Sequence, residues 1–382
     1  MMLGLLLARA GVETVVLEKH ADFLRDFRGD TLHPSTLEVM AELGMLDELL
    51  RLPHQKVHSI GGRFGTTEAQ IADFTHLPVR CGFIAMMPQW DFLDFLARQG
   101  RRYPQFSLHM SSEVTSLIER EGRIVGVATA SARVEADLVI GADGRHSTVR
   151  SLAGLEVEDL GAPIDVLWFA LTRRASDPDA TMGRFDAGRL FIMINRGGHW
   201  QCGYVIPKGA ADAVRSRGLD LFHAEIARLA PFAADRVAEL GAWDSVKLLT
   251  VSVDRLRRWH RPGLLCIGDA AHAMSPVGGV GINLAIQDAV AAANLLAAPL
   301  RRGKVDEADL HKVQSRREWP ARMTQRLQIL VHNRVLSPLL QSTKPLEPPL
   351  VVRLLSRWPV LRRIPGRLIG LGIRPERLSR TD

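Results

Sequence analysis

Residues 263–296, GLLCIGDAAHAMSPVGGVGINLAIQDAVAAANLL, constrain the fold of this 382-residue chain more than any other stretch. The run 264–267 is short and wholly apolar, as a strand buried on both faces of a parallel sheet must be. Gly268 and Asp269 end it with a carboxylate at the strand's carboxyl edge, where open α/β sheets bind their ligands. A loop with Pro276, Gly278, Gly279 and Gly281 follows, and its glycines let the backbone approach a flat ligand with no side chain between them. Ala285, Ile286, Ala289, Ala292, Ala293 and Leu296 then give a helix a small-residue face suited to close packing. Strand, carboxylate, glycine loop and helix in that order predict an α/β layer with a ligand at the turn.

A second stretch, 136–150 (ADLVIGADGRHSTVR), repeats the logic. Residues 138–140 form a buried strand, Gly141, Ala142 and Gly144 allow close approach, Asp143 sits at the turn, and Ser147 and Arg150 open the next helix. The chain begins MMLGLLLARAG, a helix stopped at Gly11, and continues into a strand over 13–18 that closes on Glu18, with Lys19 beside it. Helix, glycine, strand and acid are the second half of a dinucleotide-binding βαβ unit, in which the acid takes a ribose hydroxyl. The other half, a strand with GxGxxG spanning about fifteen to twenty residues, is expected directly upstream of Met1. A wrong start codon or a truncation explains its absence, with a degenerate paralogue that binds no cofactor as the alternative. Arg25 and Arg28 stand in a polar loop before a helix begun by Pro34, and Gln89 stands on the first turn of a helix opened by Pro88.

GDAAH, Pro276 and GGVGIN together resemble the second flavin fingerprint of FAD-dependent monooxygenases of the para-hydroxybenzoate hydroxylase type, the class A flavoprotein monooxygenases. ADGRHSTVR is similar to the DG motif of the same family. The resemblance implies that Gly268 and Asp269 bind the ribityl chain. It implies that Pro276, Gly278 and Gly279 lie against the isoalloxazine ring and shape the oxygen site, while Gly281, Ile282 and Asn283 fix its pyrimidine end. Asp143, Gly144 and Arg150 are then expected near the pyrophosphate and the nicotinamide path. Glu18, Lys19, Arg28, Arg25 and Gln89 are expected to contact FAD. The implied chemistry is reduction of FAD by transiently bound NAD(P)H, addition of dioxygen to give a C4a-hydroperoxide, and transfer of one oxygen to an aromatic or quinone-like small molecule.

The implied fold class is α/β. A Rossmann-like FAD-binding domain (1–58, 88–155 and 262–335), lacking its first strand, interleaves with a mostly antiparallel substrate domain (59–87 and 156–261), and a basic C-terminal tail follows (336–382). Strand candidates at 166–171, 190–195, 199–206 and 246–253 would build the substrate sheet. Trp168, Phe185, Phe191, Met193, Trp200 and Tyr204 are candidates to line its pocket, and His199, Tyr204 and His272 to handle protons, His272 being better explained as part of the GDAAH turn.

Other classes find little support. The chain has 49 Lys and Arg against 42 Asp and Glu, a net charge of +7, yet no nucleic-acid module. A phosphate-bearing cofactor or an anionic membrane suits that charge better. Cys81, Cys202 and Cys266 are too dispersed for a zinc site and fit core thiols in a reducing cytoplasm. No GxSxG or HExxH occurs, so neither serine hydrolysis nor a metal site is expected. The missing WxWxIP lowers a halogenase, and a flavin-dependent reductase on the same fold is the remaining enzymatic alternative. The basic tail reads either as packing or as an amphipathic contact with the inner face of an anionic membrane. The expected state is a monomer or homodimer.

Overall fold

Continuous apolar runs and alternating ones part into two layers, because the first suit strands covered on both faces and the second suit a sheet with distinct sides. The computed structural model describes residues 1–24, 31–342 and 347–379. In the first layer Thr14–Leu17 pairs in parallel with Phe106–His109, and Val139–Gly141 in parallel with Leu264–Cys266. The two pairs are separate pieces, and strands Thr14–Leu17 and Val139–Gly141 both border one large cavity. Helices Met2–Arg9 and Gly281–Arg301 pack against each other beside this layer, with Gln89–Gly100 on Met2–Arg9. The segment Val277–Arg301 is long and apolar enough to cross a membrane, but Val290, Ala291, Ala292 and Leu296 are fully buried in the protein's own core.

The second layer is a seven-stranded sheet in the order Lys247–Leu249, Ile164–Thr172, His199–Pro207, Arg189–Asn195, Met182–Asp186, Ser59–Phe64, Thr67–Asp73. All neighbours are antiparallel except Met182–Asp186 and Ser59–Phe64. The early excursion around residue 60 therefore supplies the outer two strands of a sheet otherwise built after residue 163. The strand expected over 246–253 shortens to Lys247–Leu249.

Period-two alternation divides the candidate pocket residues between the faces of this sheet. Phe191, Met193, Trp200 and Tyr204 turn away from the cavity and pack with Phe222 and Ile226 of helix Leu219–Leu229. Trp168 and Phe185 face the cavity, joined by Leu190, Ile192 and Ile194. Four of the six aromatic and sulfur-bearing candidates are thus core, and the pocket wall is more aliphatic than expected.

Behind the glycine loop lies a buried ionic cluster. Asp288 accepts hydrogen bonds from Gly268 N–H (3.0 Å) and Arg317 Nε (2.9 Å), and its other contact is His272 Nε2 at 2.5 Å. Burial opposes the charge on Asp288, and His272 with Arg317 more than offsets it, holding the carboxyl below its usual range. Arg317 also reaches Glu376 at 3.4 Å, which ties the C-terminal segment to the same cluster. His272 is thereby a strut of the turn, not a proton handler.

Candidate active site

The loop after Leu264–Cys266 is shaped by close approach. Gly268 has φ +59°, and a Cβ there would stand 2.9 Å from Cβ of Ala285 in the following helix. Gly279 has φ +63°, and its Cβ would meet Thr31 Oγ1 at 2.5 Å. Both positions therefore require glycine. Asp269 is half-buried, with Oδ1 3.8 Å from where a Cβ on Gly281 would lie, so its carboxylate sits beside the first turn of helix Gly281–Arg301. The first amides of a helix have no acceptor within it and favour an electron-rich ligand.

A single cavity of about 2340 Å³ runs from the parallel layer, past this loop, to the seven-stranded sheet and on to the C-terminal helices. One small-molecule site occupies ~300–1,000 Å³, so this space exceeds the needs of a single ligand. Gly268, Asp269, Pro276, Gly278, Gly279, Gly281 and Ile282 all line it, as do Glu18, Lys19, Gln89, Asp143 and Gly144. These residues come from four separate stretches of sequence. Arg25 and Arg28 lie outside the described residues.

Two of the expected contact residues have their side chains engaged within the protein. Asn283 is buried with its amide fully used: Nδ2 donates to Thr31 O (2.9 Å) and Gly279 O (3.1 Å), while Oδ1 accepts from His33 N–H (2.8 Å) and Thr36 Oγ1 (2.7 Å). Its side chain pins the 31–36 segment to the loop, leaving only its main chain for a ligand. Arg150 is likewise off the cavity wall, donating to Asp254 (3.1 Å), Ala270 O (3.4 Å) and Arg145 O (2.5 Å). It braces the 143–150 turn against the 268–270 turn. Asp143 caps its own turn, accepting from Ser147 Oγ (2.5 Å) and Val149 N–H (3.0 Å).

Helix Glu307–Val331 contributes residues that the sequence did not single out. Gln328 accepts from Ser275 N–H (3.1 Å) and donates to the carbonyls of Ser275 and Val277 (2.9 Å each), on both sides of Pro276. His332 Nε2 lies 2.8 Å from Ser275 Oγ. One turn back, Gln325 donates to Asp254 O (2.8 Å) and Ala273 O (3.0 Å). Gln314 accepts from Trp259 N–H (2.9 Å) and donates to Arg257 O (3.0 Å). A buried glutamine row splints the 254–259 segment and the 273–277 part of the loop. The only local signal was the spacing of 314, 325 and 328, which keeps the three near one helical face.

The remaining proton-handling candidates lie off the cavity. Tyr204 is raised by burial and by its 2.7 Å hydrogen bond to Glu225. His199 is exposed at a strand end, its pKa lowered by desolvation and Arg196. On the sheet side of the cavity, among the described residues, the wall carries no histidine or carboxylate, and Thr181 Oγ1 is buried there without a partner. Cys266 is pushed up to about 12, first by burial, and is inert core. Among the described residues no group of three or more His, Cys, Asp or Glu could hold a metal ion.

This set fits a large, flat, partly polar group. Loop glycines leave room for a ring face, Asp269 and the helix amides suit hydroxyl and carbonyl groups, and the walls on either side are apolar. The comparisons agree with that fit. The family described as FAD binding domain matches residues 1–326. The 6-methylpretetramide 4-monooxygenase of Streptomyces rimosus is 34% identical over 376 residues, covering 95% of this chain and 88% of that protein. A rifampicin monooxygenase of Streptomyces venezuelae is 28% identical over 296 residues, 73% of this chain but only 58% of that longer protein. The solved structure of the anhydrotetracycline hydroxylase of Streptomyces rimosus shares the fold, with a TM-score of 0.72 over 100% of this chain and 75% of that one, at 22% identity.

Proposed function

Because the chain belongs to the FAD-binding domain family and is an FAD-dependent monooxygenase, we propose that it hydroxylates a polycyclic aromatic phenol or quinone-like small molecule, with NAD(P)H as reductant. The observation that carries this reading is the continuity of the glycine loop with a long apolar cavity under the seven-stranded sheet. A fused-ring substrate buries its area against Trp168, Phe185 and Ile192 while presenting one edge to Pro276. The 34% identical relative is named for oxidation of 6-methylpretetramide, which supports the same size class.

Bound FAD supplies the electron transfer and the oxygen activation; the chain supplies position and dryness. Asp269 holds the hydroxylated chain of the cofactor, and the main chain of 278–283 holds the polar edge of its ring. Glu18, Lys19, Gln89, Asp143 and Gly144 line the way for its nucleotide end. Gln328 and His332 keep Ser275–Pro276–Val277 in one conformation, so that the ring face and the substrate meet at a constant distance. The unpartnered hydroxyl of Thr181 meets a substrate oxygen, since a buried hydroxyl without a partner is costly until a ligand supplies one. Aliphatic walls keep water from the reacting centre. The protein works in the cytoplasm as a monomer or homodimer, and the basic C-terminal helices are its point of contact with anionic membrane.

The test is turnover by the flavin-loaded protein with NAD(P)H, labelled dioxygen and a panel of polycyclic phenols. The expected result is substrate-stimulated NAD(P)H oxidation and a product carrying one labelled oxygen atom. A reduced product without label assigns a reductase instead, and a protein that stays colourless with added FAD overturns the reading.

A further inference from the structure

The C-terminal helices pack by one face and leave the other bare. Helix Leu350–Arg357, the turn Pro359–Arg362 and helix Arg363–Gly370 lie over strand Thr67–Asp73. Val352 is buried against Phe64 and Ala69. Arg362 donates to Leu355 O and Ser356 O (2.8 Å each) and to Gln70 (2.7 Å), and His33 Nδ1 lies 2.7 Å from Ile369 O. These contacts orient both helices, so the outer face is a defined surface. On it Leu350 and Val351 are 65% exposed, Val360 and Ile364 61%, and Trp358 53%. Exposed Arg353, Arg357, Arg363 and Arg367 fringe them. Between Pro348 and Pro375 the sequence has six arginines and no Asp or Glu.

The same face is the rim of the cavity. Leu350, Val351, Ile364 and Leu368 line it from these helices, and Leu330 and Arg334 from the end of the long helix and the π-turn His332–Leu336. We propose that this face docks on an anionic lipid surface with the cavity mouth against the bilayer, so that an apolar substrate enters from the lipid without crossing water. The partner rests on charge and shape together. Apolar residues and a tryptophan ringed by arginines match the headgroup boundary of an anionic membrane, where a helix lies in the plane with its charged edge at the phosphates. A two-fold copy of this chain would set the arginines of one face against those of the other, which is repulsive. This rests on the proposed substrate class for what enters, but the docking itself is measured without turnover.

The experiment uses the flavin-loaded full chain and vesicles of phosphatidylcholine with and without phosphatidylglycerol. Co-sedimentation is expected with the anionic vesicles and only weakly with the neutral ones. Each basic residue near an anionic surface contributes about fivefold to partitioning, so Arg363→Gln with Arg367→Gln should lower it about 25-fold. Trp358→Ser with Val360→Ser, neither of which lines the cavity, should abolish sedimentation while the flavin absorbance stays parental. All three native cysteines are buried. A bimane label on Arg334→Cys should therefore be selective and quenched by brominated lipid, whereas one on exposed Ser131→Cys should not. Equal binding to both vesicles, no binding, or a dimer that the Trp358/Val360 variant dissociates would each overturn the lipid assignment. Docking without quenching at position 334 would overturn the placement of the mouth. A parent protein that hydroxylates its substrate without docking refutes this inference alone, and a parent protein that docks but takes up no added FAD refutes the enzymatic reading alone.

Discussion

Gln328 is the residue whose loss should separate position from stability. Replacing it with leucine keeps much of the volume and removes three hydrogen bonds, one from Ser275 N–H and two to the carbonyls flanking Pro276. Each group left buried and unsatisfied costs about 1–3 kcal/mol, so the variant should lose about 3–9 kcal/mol if the loop does not relax. At roughly 2 cal/mol/K of unfolding entropy per residue, that is a fall of about 4–11 °C in Tm. Gln325→Leu is the control. It removes two bonds, to Asp254 O and Ala273 O, and should lower Tm by a similar few degrees, but it does not touch the residues beside Pro276. Calorimetry gives the stability of both. The flavin absorption band and the rate of flavin reduction by NAD(P)H report the loop, and only Gln328→Leu should shift the band and slow reduction. The reasoning fails if the two variants change both optical readouts alike, or if Gln328→Leu melts within a degree of the parent.

Four further outcomes are expected. Asp269→Ala should weaken FAD binding by about 10–100-fold, the worth of a charged hydrogen bond, read by titration of flavin fluorescence. Gly279→Ala should weaken it through the clash with Thr31, and Thr31→Ala should partly restore it; no rescue would mean that the positive φ alone decides. Thr181→Val should raise KM about tenfold at unchanged kcat if its hydroxyl meets the substrate, and an unmoved KM removes Thr181 from the site. His33 is fully buried, and desolvation lowers its pKa from 6.5 to about 4 against a backbone hydrogen bond to Ile369 that raises it. Its folded pKa lies below its unfolded one, so the stability tied to its neutral form is complete above pH 6.5 and drains away as pH falls toward 4. The loss is about 3 kcal/mol by linkage. Unfolding midpoints from pH 7 to 4 should show this slope in the parent and a smaller one in His33→Gln.

The glycine loop and its flanking elements were legible because they are local. A strand, a turn with three positive-φ glycines and a small-residue helix follow one another within about thirty residues, and the glycines are forced by backbone geometry at their own positions. The 143–150 turn was legible for the same reason. Asn283 shows the limit: its place at the helix start was readable, but its amide is spent on Thr31, His33 and Thr36, some 250 residues away in sequence. Arg150 shows it again, since its partner Asp254 lies 104 residues on.

By itself, then, the sequence determined the kind of protein this is: an α/β flavin fold with a glycine loop over 268–283 and a basic, apolar C-terminal region. Tertiary structure alone decided which side of the sheet each aromatic residue faces, that Gln314, Gln325 and Gln328 serve as a splint, and that Asp288, Arg317 and Glu376 meet. The physical reason is that a glutamine or an aspartate has the same local signature whether it is solvated or buried against a distant carbonyl or guanidinium. Only packing removes the water and reveals the partner.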